Sequence, residues 1–180
     1  MCVICFKPAG VPMPDRTEIR AMAAANPHGF GFCTTTGKYF KTTSYRAFVA
    51  SLAEVSDDEG CVMHFRYATH GSIKRGNCHP FAGGGVFFAH NGILPYPSVN
   101  DHTDSEYAFR NVFLPALCRH GLDSDEFAYV CDANRGVSRL AFMQGSRVRL
   151  FGDFCRAHGR YYSNMRWRFF EFGAHCSNEQ

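Results

Sequence analysis

The chain has 180 residues, a length that fits one domain on the rough scale of ~100–200 residues per domain. Hydrophobic residues make up 46% and charged residues 19%, which excludes disorder from charge excess, and a net charge of +3 is too mild to imply nucleic acid by itself. No apolar run approaches the about 20 residues of a membrane-spanning helix, and the start, MCVICFKPAG, has no basic segment ahead of a long apolar stretch, so a secretory signal and membrane association are not expected.

Residues 2–6 (CVICF) read as a short buried strand, followed by an extended loop that Pro8, Pro12 and Pro14 hold open. Asp15 with Glu18 three residues later starts a helix whose Ile19, Met22 and Ala23 share a face, and Asn26-Pro27 ends it. Strands near 30–35 and 38–43 turn at Gly37, and Ser44 caps a second helix with Phe48, Leu52 and Val55 on one side. Strands around 61–67 and 85–90 flank a loop holding Gly71, Gly76, Pro80 and the run Gly83-Gly84-Gly85. Thr103 and Glu106 open a helix from about 104 to 119, which Pro115 kinks or restarts. From 138 onward SRLAFM, RVRLF and YYSNM read as strands separated by Gly145, Gly152 and Gly159. Helices lying between two groups of strands imply an α+β layered domain over 1–180.

Nine cysteines, odd in number and widely spaced, argue against a disulfide scaffold and for small buried side chains in a reducing, cytoplasmic setting. Cys2 differs from the rest. Loss of the initiator methionine would place an α-amine, pKa near ~8, beside a thiol near ~8.5, so the nucleophile carries its own base. The alternative is a small residue that merely starts a strand. Cys2 and Cys5 also form a CxxC, but in a strand they point to opposite faces, and no second pair completes a metal site. No metal or cofactor is expected.

Three further places carry chemistry. In HFRYATHG (64–71), Arg66 can grip a carboxylate in a bidentate fork, with Thr69 and His70 beside it. Asn91-Gly92 follows a strand, where an amide and a glycine N–H can converge as an oxyanion hole. Asp104 sits at a helix start, ionised and able to receive an ammonium group. Each has a plain reading, as a surface ion pair, an ordinary turn and a helix-start acid. Together they fit a free α-amino acid with a side-chain amide, which is glutamine.

Cys2, HFRYATHG, NCHPF (77–81), HNG (90–92) and DSE (104–106), in that order, resemble the glutaminase domain of class II glutamine amidotransferases, which are N-terminal-nucleophile hydrolases. The resemblance covers roughly residues 2–107. It implies a four-layer αββα sandwich, with Cys2 as nucleophile, Asn91 and Gly92 as oxyanion hole, and Arg66, Thr69, His70 and Asp104 as the glutamine-binding set. His64 and His79 are expected to support the site. The chain departs from the family at Val3, where the family has glycine, and at His28, which stands where it has an acid; Gly29 and Gly31 are expected to lie close to the nucleophile. The resemblance further implies a stand-alone glutaminase without an acceptor domain, yielding glutamate and ammonia for a synthetase or base-modifying enzyme supplied in trans. The Gly-rich segments 71–76 and 83–85 are expected beside the substrate clamp, closing over it.

Alternatives remain: a γ-glutamyl amide hydrolase using the same machinery, or a degenerate, non-catalytic member. The stretch RAHGRYYSNMRWRFF (156–170) interleaves arginines with aromatics, as single-strand-binding grooves do. An amphipathic strand with aromatics inward and arginines solvated is the favoured reading there, and direct nucleic-acid binding is not expected.

Overall fold

The computed structural model describes residues 2–69, 71–98 and 101–173. The strands are β1 (Val3–Lys7), β2 (Phe30–Thr34), β3 (Tyr39–Thr42), β4 (Cys61–Phe65), β5 (Phe81–Gly83), β6 (Val86–Asn91), β7 (Arg139–Gln144), β8 (Arg147–Phe151), β9 (Cys155–Ala157) and β10 (Arg160–Tyr162). They pair antiparallel into a six-stranded sheet, β3-β2-β4-β1-β10-β9, and a four-stranded sheet, β5-β6-β7-β8. The helices are α1 (Arg16–Ala25), α2 (Tyr45–Leu52), α3 (Asp104–Ala108), α4 (Leu114–His120), α5 (Asp125–Arg135) and α6 (Arg168–Gly173).

Strand alternation sorts the core into layers. Val3 and Cys5 of β1 face outward into a cluster with Met22 of α1, Phe48 of α2, Phe30, Phe65 and Trp167. Ile4 faces the other way and packs with Val62, Ala89, Ala141 and Met143 between the two sheets. The outer face of the second sheet packs Phe88 and Phe142 against Phe109, Phe113 and Phe127 of the α3–α5 layer. The result is the four-layer αββα sandwich. Fully burying each phenylalanine contributes about 1.5–3 kcal/mol, so the aromatic content is spent mostly on the two helix–sheet interfaces.

The helix starts are as the sequence predicts. Asp15 accepts from the Glu18 backbone N–H at 2.8 Å while the Glu18 carboxylate accepts from the Asp15 N–H at 3.1 Å, a complete capping box. Ser44 and Thr103 accept from the Ala47 and Glu106 N–H groups. The helix opened by Thr103 changes its winding midway. A π-turn over Phe109–Phe113 separates α3 from α4, and Pro115 sits in the first turn of the restarted helix, where a missing N–H costs nothing.

Four expectations change. The glycine run 83–85 is a hairpin rather than a lid: β5 and β6 join through Gly84 and Gly85, both left-handed at φ +56° and +74°, a primed turn that suits the twist of the strands. Because β6 runs from this turn to Asn91, the turn lies at the opposite end of the strand from the site. Segment 71–76 is also held in place: Asp101 accepts from the Ser72 N–H at 2.8 Å and its hydroxyl at 2.6 Å and pairs with Lys74 at 2.8 Å. Helix α5 and strand β9 arise where no element is predicted. Finally, 156–170 is a hairpin, a loop and the start of α6, and Arg160 points inward to a buried ion pair with Glu18 at 2.7 Å rather than to solvent. Among the described residues no helix is long and apolar enough to cross a membrane.

Candidate active site

Cys2 lies immediately before β1, and the pairing of Val3 with Phe65 sets it beside the segment leaving β4. The Tyr67 backbone N–H donates to Cys2 Sγ at 3.3 Å, and the thiol lies 3.5 Å from the Tyr67 carbonyl. Asn164 Nδ2 holds the Cys2 carbonyl at 2.8 Å. Burial pushes the thiol pKa up, against the lowering effects of the Tyr67 N–H and the Arg66 charge. A thiol so placed is neutral near pH 7 and needs a base.

The segment that holds the thiol is itself held by His28. The His28 N–H donates to the Arg66 carbonyl at 3.0 Å, the Arg66 N–H donates to the Gly29 carbonyl at 2.7 Å, and the Ala68 N–H donates to His28 Nδ1 at 2.9 Å. The imidazole also packs on the Tyr67 ring, with centroids 4.9 Å apart. An accepting Nδ1 does here what a carboxylate oxygen can do, so the departure at His28 keeps a hydrogen-bond acceptor. The two glycines after it pack against the 78–79 segment: a Cβ at Gly29 would overlap Cys78 Sγ, and one at Gly31 the His79 carbonyl.

Two cavities meet at the thiol. The smaller, about 30 Å³, is lined by Cys2, Arg66, Thr69, His90, Gly92 and Asp104, and has room for about two waters. Arg66 is buried, with Nη1 donating to the Ser72 carbonyl at 3.0 Å and Nη2 to that of Gly71 at 3.4 Å, so loop 71–72 aims the guanidinium. Asp104 accepts from the Leu94 N–H and the Ser105 N–H, both at 2.8 Å. Ser105 Oγ lies 2.7 Å from His90 Nδ1 and 3.2 Å from Asp104 Oδ1. The larger cavity, about 210 Å³, is lined by Cys2, Asn91, Ile93, Val137 and Arg139, with Tyr67, Thr69 and Gly92 shared between the two. Cys2, Arg66, Thr69, Asn91, Gly92 and Asp104 thus come together around one thiol; His70 lies outside the described residues.

Asn91 ends β6 in a buried position. Its Nδ2 is 2.8 Å from Ser163 Oγ, which also accepts from the Ile4 N–H at 2.8 Å, and Asn91 Oδ1 is a buried atom with no hydrogen-bond partner among the described residues. Turning the carboxamide over lets the Ser163 hydroxyl donate to Oδ1 and frees Nδ2 as a donor, which is the orientation an oxyanion requires. Gly92 follows at φ +148°, where a Cβ would overlap Ser138 Oγ, so conformation and space both demand glycine.

Comparison with solved structures follows from this architecture. A glutamine phosphoribosylpyrophosphate amidotransferase from B. subtilis, complexed with ADP and GMP, matches with a TM-score of 0.57 and 16% identity over 90% of this chain and 41% of that one. An allosteric regulatory enzyme of purine biosynthesis matches with a TM-score of 0.60 and 16% identity, over 96% and 43% respectively. The fold is that of an N-terminal-nucleophile hydrolase. This chain spans about two fifths of the length of those solved chains. No family model and no curated protein matches it.

In this N-terminal-nucleophile hydrolase fold β1 lies inside its sheet, between β4 and β10, so the thiol is mounted on a strand fixed on both sides. His64, His79 and His90 are all buried, His79 and His90 in the wall of the smaller cavity, with the His64 and His79 rings 4.2 Å apart. Burial lowers their pKa values, to about 3 for His64, about 4 for His90, and well below the ordinary value for His79. All three are neutral near pH 7. His28, Ser105 and Ser163 were not singled out as site-builders from sequence. Ser105 lies within the DSE motif, whereas nothing local marks Ser163, which meets Asn91 from 72 positions away. Among the described residues no group of three or more His, Cys, Asp or Glu side chains is arranged to hold a metal.

Proposed function

We propose that this chain hydrolyses the side-chain amide of glutamine through a thioester on Cys2. The observation that carries the reading is the thiol at the mouth of a cavity whose walls hold both Arg66 and Asp104, a guanidinium for an α-carboxylate and a carboxylate for an α-ammonium. With Met1 removed, the freed α-amine takes the thiol proton and Sγ attacks the amide carbon. Asn91 Nδ2 and the Gly92 N–H receive the oxyanion, and Thr69 completes the substrate wall. The C–N bond breaks, the ammonium returns its proton to the leaving nitrogen, and ammonia departs. Water then cleaves the thioester to glutamate, and the ammonia is used by a synthetase or base-modifying enzyme acting with this domain.

The test combines intact mass with turnover. A glutamine-analogue electrophile should add one label to the Met1-processed protein at Cys2, and glutamate release should vanish in Cys2→Ala while the circular dichroism spectrum is unchanged. Glutamate release by Cys2→Ala at the wild-type rate would overturn the reading.

A further inference from the structure

A leaving group as small as ammonia does not explain the larger cavity. It shares Cys2, Tyr67, Thr69 and Gly92 with the Arg66–Asp104 cavity, and neither Arg66 nor Asp104 lines it, so it offers room beside the thiol for the group that leaves a γ-glutamyl carbon held by those two residues. Its walls include Ile93, 66% exposed, Val137, 86% exposed, and Tyr67, 43% exposed, apolar side chains gathered at a site mouth although solvent faces them. The walls are fixed to each other: Ser138 Oγ donates to the Ile93 carbonyl at 3.0 Å and so ties the turn after β6 to the residues leading into β7.

The cavity also holds a cation. Arg139 Nε donates to the Asp153 carbonyl at 3.2 Å and Nη1 to that of Val137 at 3.1 Å, which orients the guanidinium; Nη2 has no hydrogen-bond partner among the described residues. An apolar wall with one guanidinium matches a group bearing an apolar side chain and a carboxylate, which is the description of an amino acid.

We infer that the substrates of this site include γ-glutamyl dipeptides in which glutamate is joined through its side-chain carboxyl to an apolar amino acid. The inference rests on the reading of Cys2 as a nucleophile toward γ-glutamyl groups. The α-ammonium and α-carboxylate of the dipeptide's glutamyl head take the place of water in the Arg66–Asp104 cavity, its second residue packs on Ile93 and Val137, and that residue's carboxylate meets Arg139. The thiol attacks the γ-carbonyl carbon, the amide C–N bond breaks, and the second amino acid leaves with its nitrogen protonated by the Cys2 α-ammonium. Water then adds to the thioester, giving glutamate and regenerating the thiol, so one dipeptide and one water yield two amino acids.

The experiment measures kcat/KM for glutamine, γ-glutamyl-leucine and γ-glutamyl-leucinamide, which lacks the free carboxylate. Expected is turnover of γ-glutamyl-leucine at least equal to that of glutamine and about tenfold above the leucinamide, the scale of one hydrogen bond to a charged group. Arg139→Ala should remove that tenfold preference. Because Arg139 pairs with Asn91 across β6 and β7, Val137→Glu serves as a second variant at an exposed position. It places a like charge beside the substrate carboxylate and should lower the ratio of dipeptide to glutamine turnover. Hydrolysis of glutamine with no hydrolysis of γ-glutamyl-leucine overturns the inference and leaves the glutaminase reading standing. Failure on all three substrates, with Cys2 unlabelled by the glutamine-analogue electrophile, overturns both.

Discussion

At the scale of single residues, the site depends on side chains whose partners come from far along the chain. Asn91 is held by Ser163, and Ser163 by the N–H and carbonyl of Ile4, so the proposed oxyanion donor and the strand that follows the proposed nucleophile share one hydroxyl. This gives a prediction with a built-in control. Asn91→Ala should lower kcat by about 10²–10³, the usual loss for one oxyanion donor, with a smaller change in KM. Ser163→Ala should lower kcat by a smaller factor, since Nδ2 keeps its position but loses its orienting hydroxyl. Steady-state kinetics on glutamine separates the two, and a rise in KM alone in Asn91→Ala would remove the residue from the oxyanion role. The same assay reads Arg66→Ala and Asp104→Ala, which should act mainly on KM.

At the scale of elements, Glu18 shows one side chain serving two structures. Its carboxylate closes the capping box of α1 and also accepts from Arg160 Nη2 at 2.7 Å, with the Tyr162 hydroxyl 3.4 Å from Oε1. Both charged side chains are buried, at 11% and 7% exposure. Arg160→Ala would leave the Glu18 carboxylate in that setting without its cation, a change that costs about 3–5 kcal/mol when a buried pair is broken. Denaturant unfolding should show this loss, whereas Arg156→Ala in the adjacent β9, exposed and paired with nothing acidic among the described residues, should stay within about 0.5 kcal/mol of wild type. Comparable stability in both variants would mean that the pair does not fasten β10 to α1. The capping box is legible in Asp15 and Glu18; the partner 142 residues away is not.

At the scale of the whole molecule, the three buried histidines make stability depend on pH. His64, His79 and His90 have folded pKa values below the ordinary 6.5, so above that pH they are neutral in both states and contribute no dependence. As the pH falls below about 6.5 the unfolded chain takes up protons that the folded chain refuses. Stability therefore declines between about pH 6.5 and 4, with a slope approaching three protons per molecule. Denaturant midpoints measured at about pH 7.5, 6 and 5 should fall progressively, and a flat profile over that range would show that these imidazoles are not excluded from protonation.

What the sequence determined by itself was local and periodic. Asp15, Ser44 and Thr103 start helices because their side chains reach N–H groups only three residues away, and Ile19, Met22 and Ala23 share a face because the helical period puts them there. The order of the motifs carrying Cys2, Arg66, Asn91 and Asp104 was legible as well, since each motif is contiguous. Tertiary structure alone decided what those motifs meet. Helix α5 was missed although Ser124 caps it and Phe127 and Cys131 share its buried face, because only those two of its 11 residues are fully buried and its stability comes from packing on the second sheet. The glycine run 83–85 reads equally as a mobile loop or a tight turn, and only the pairing of Phe81 with Phe88 makes it a hairpin at the far end from the thiol. Ser163 on Asn91, Arg160 on Glu18 and Arg139 in one cavity wall with Cys2 follow from sheet order and from which strands lie back to back. Those are set by the burial of side chains from the entire chain at once, so no window of sequence contains them.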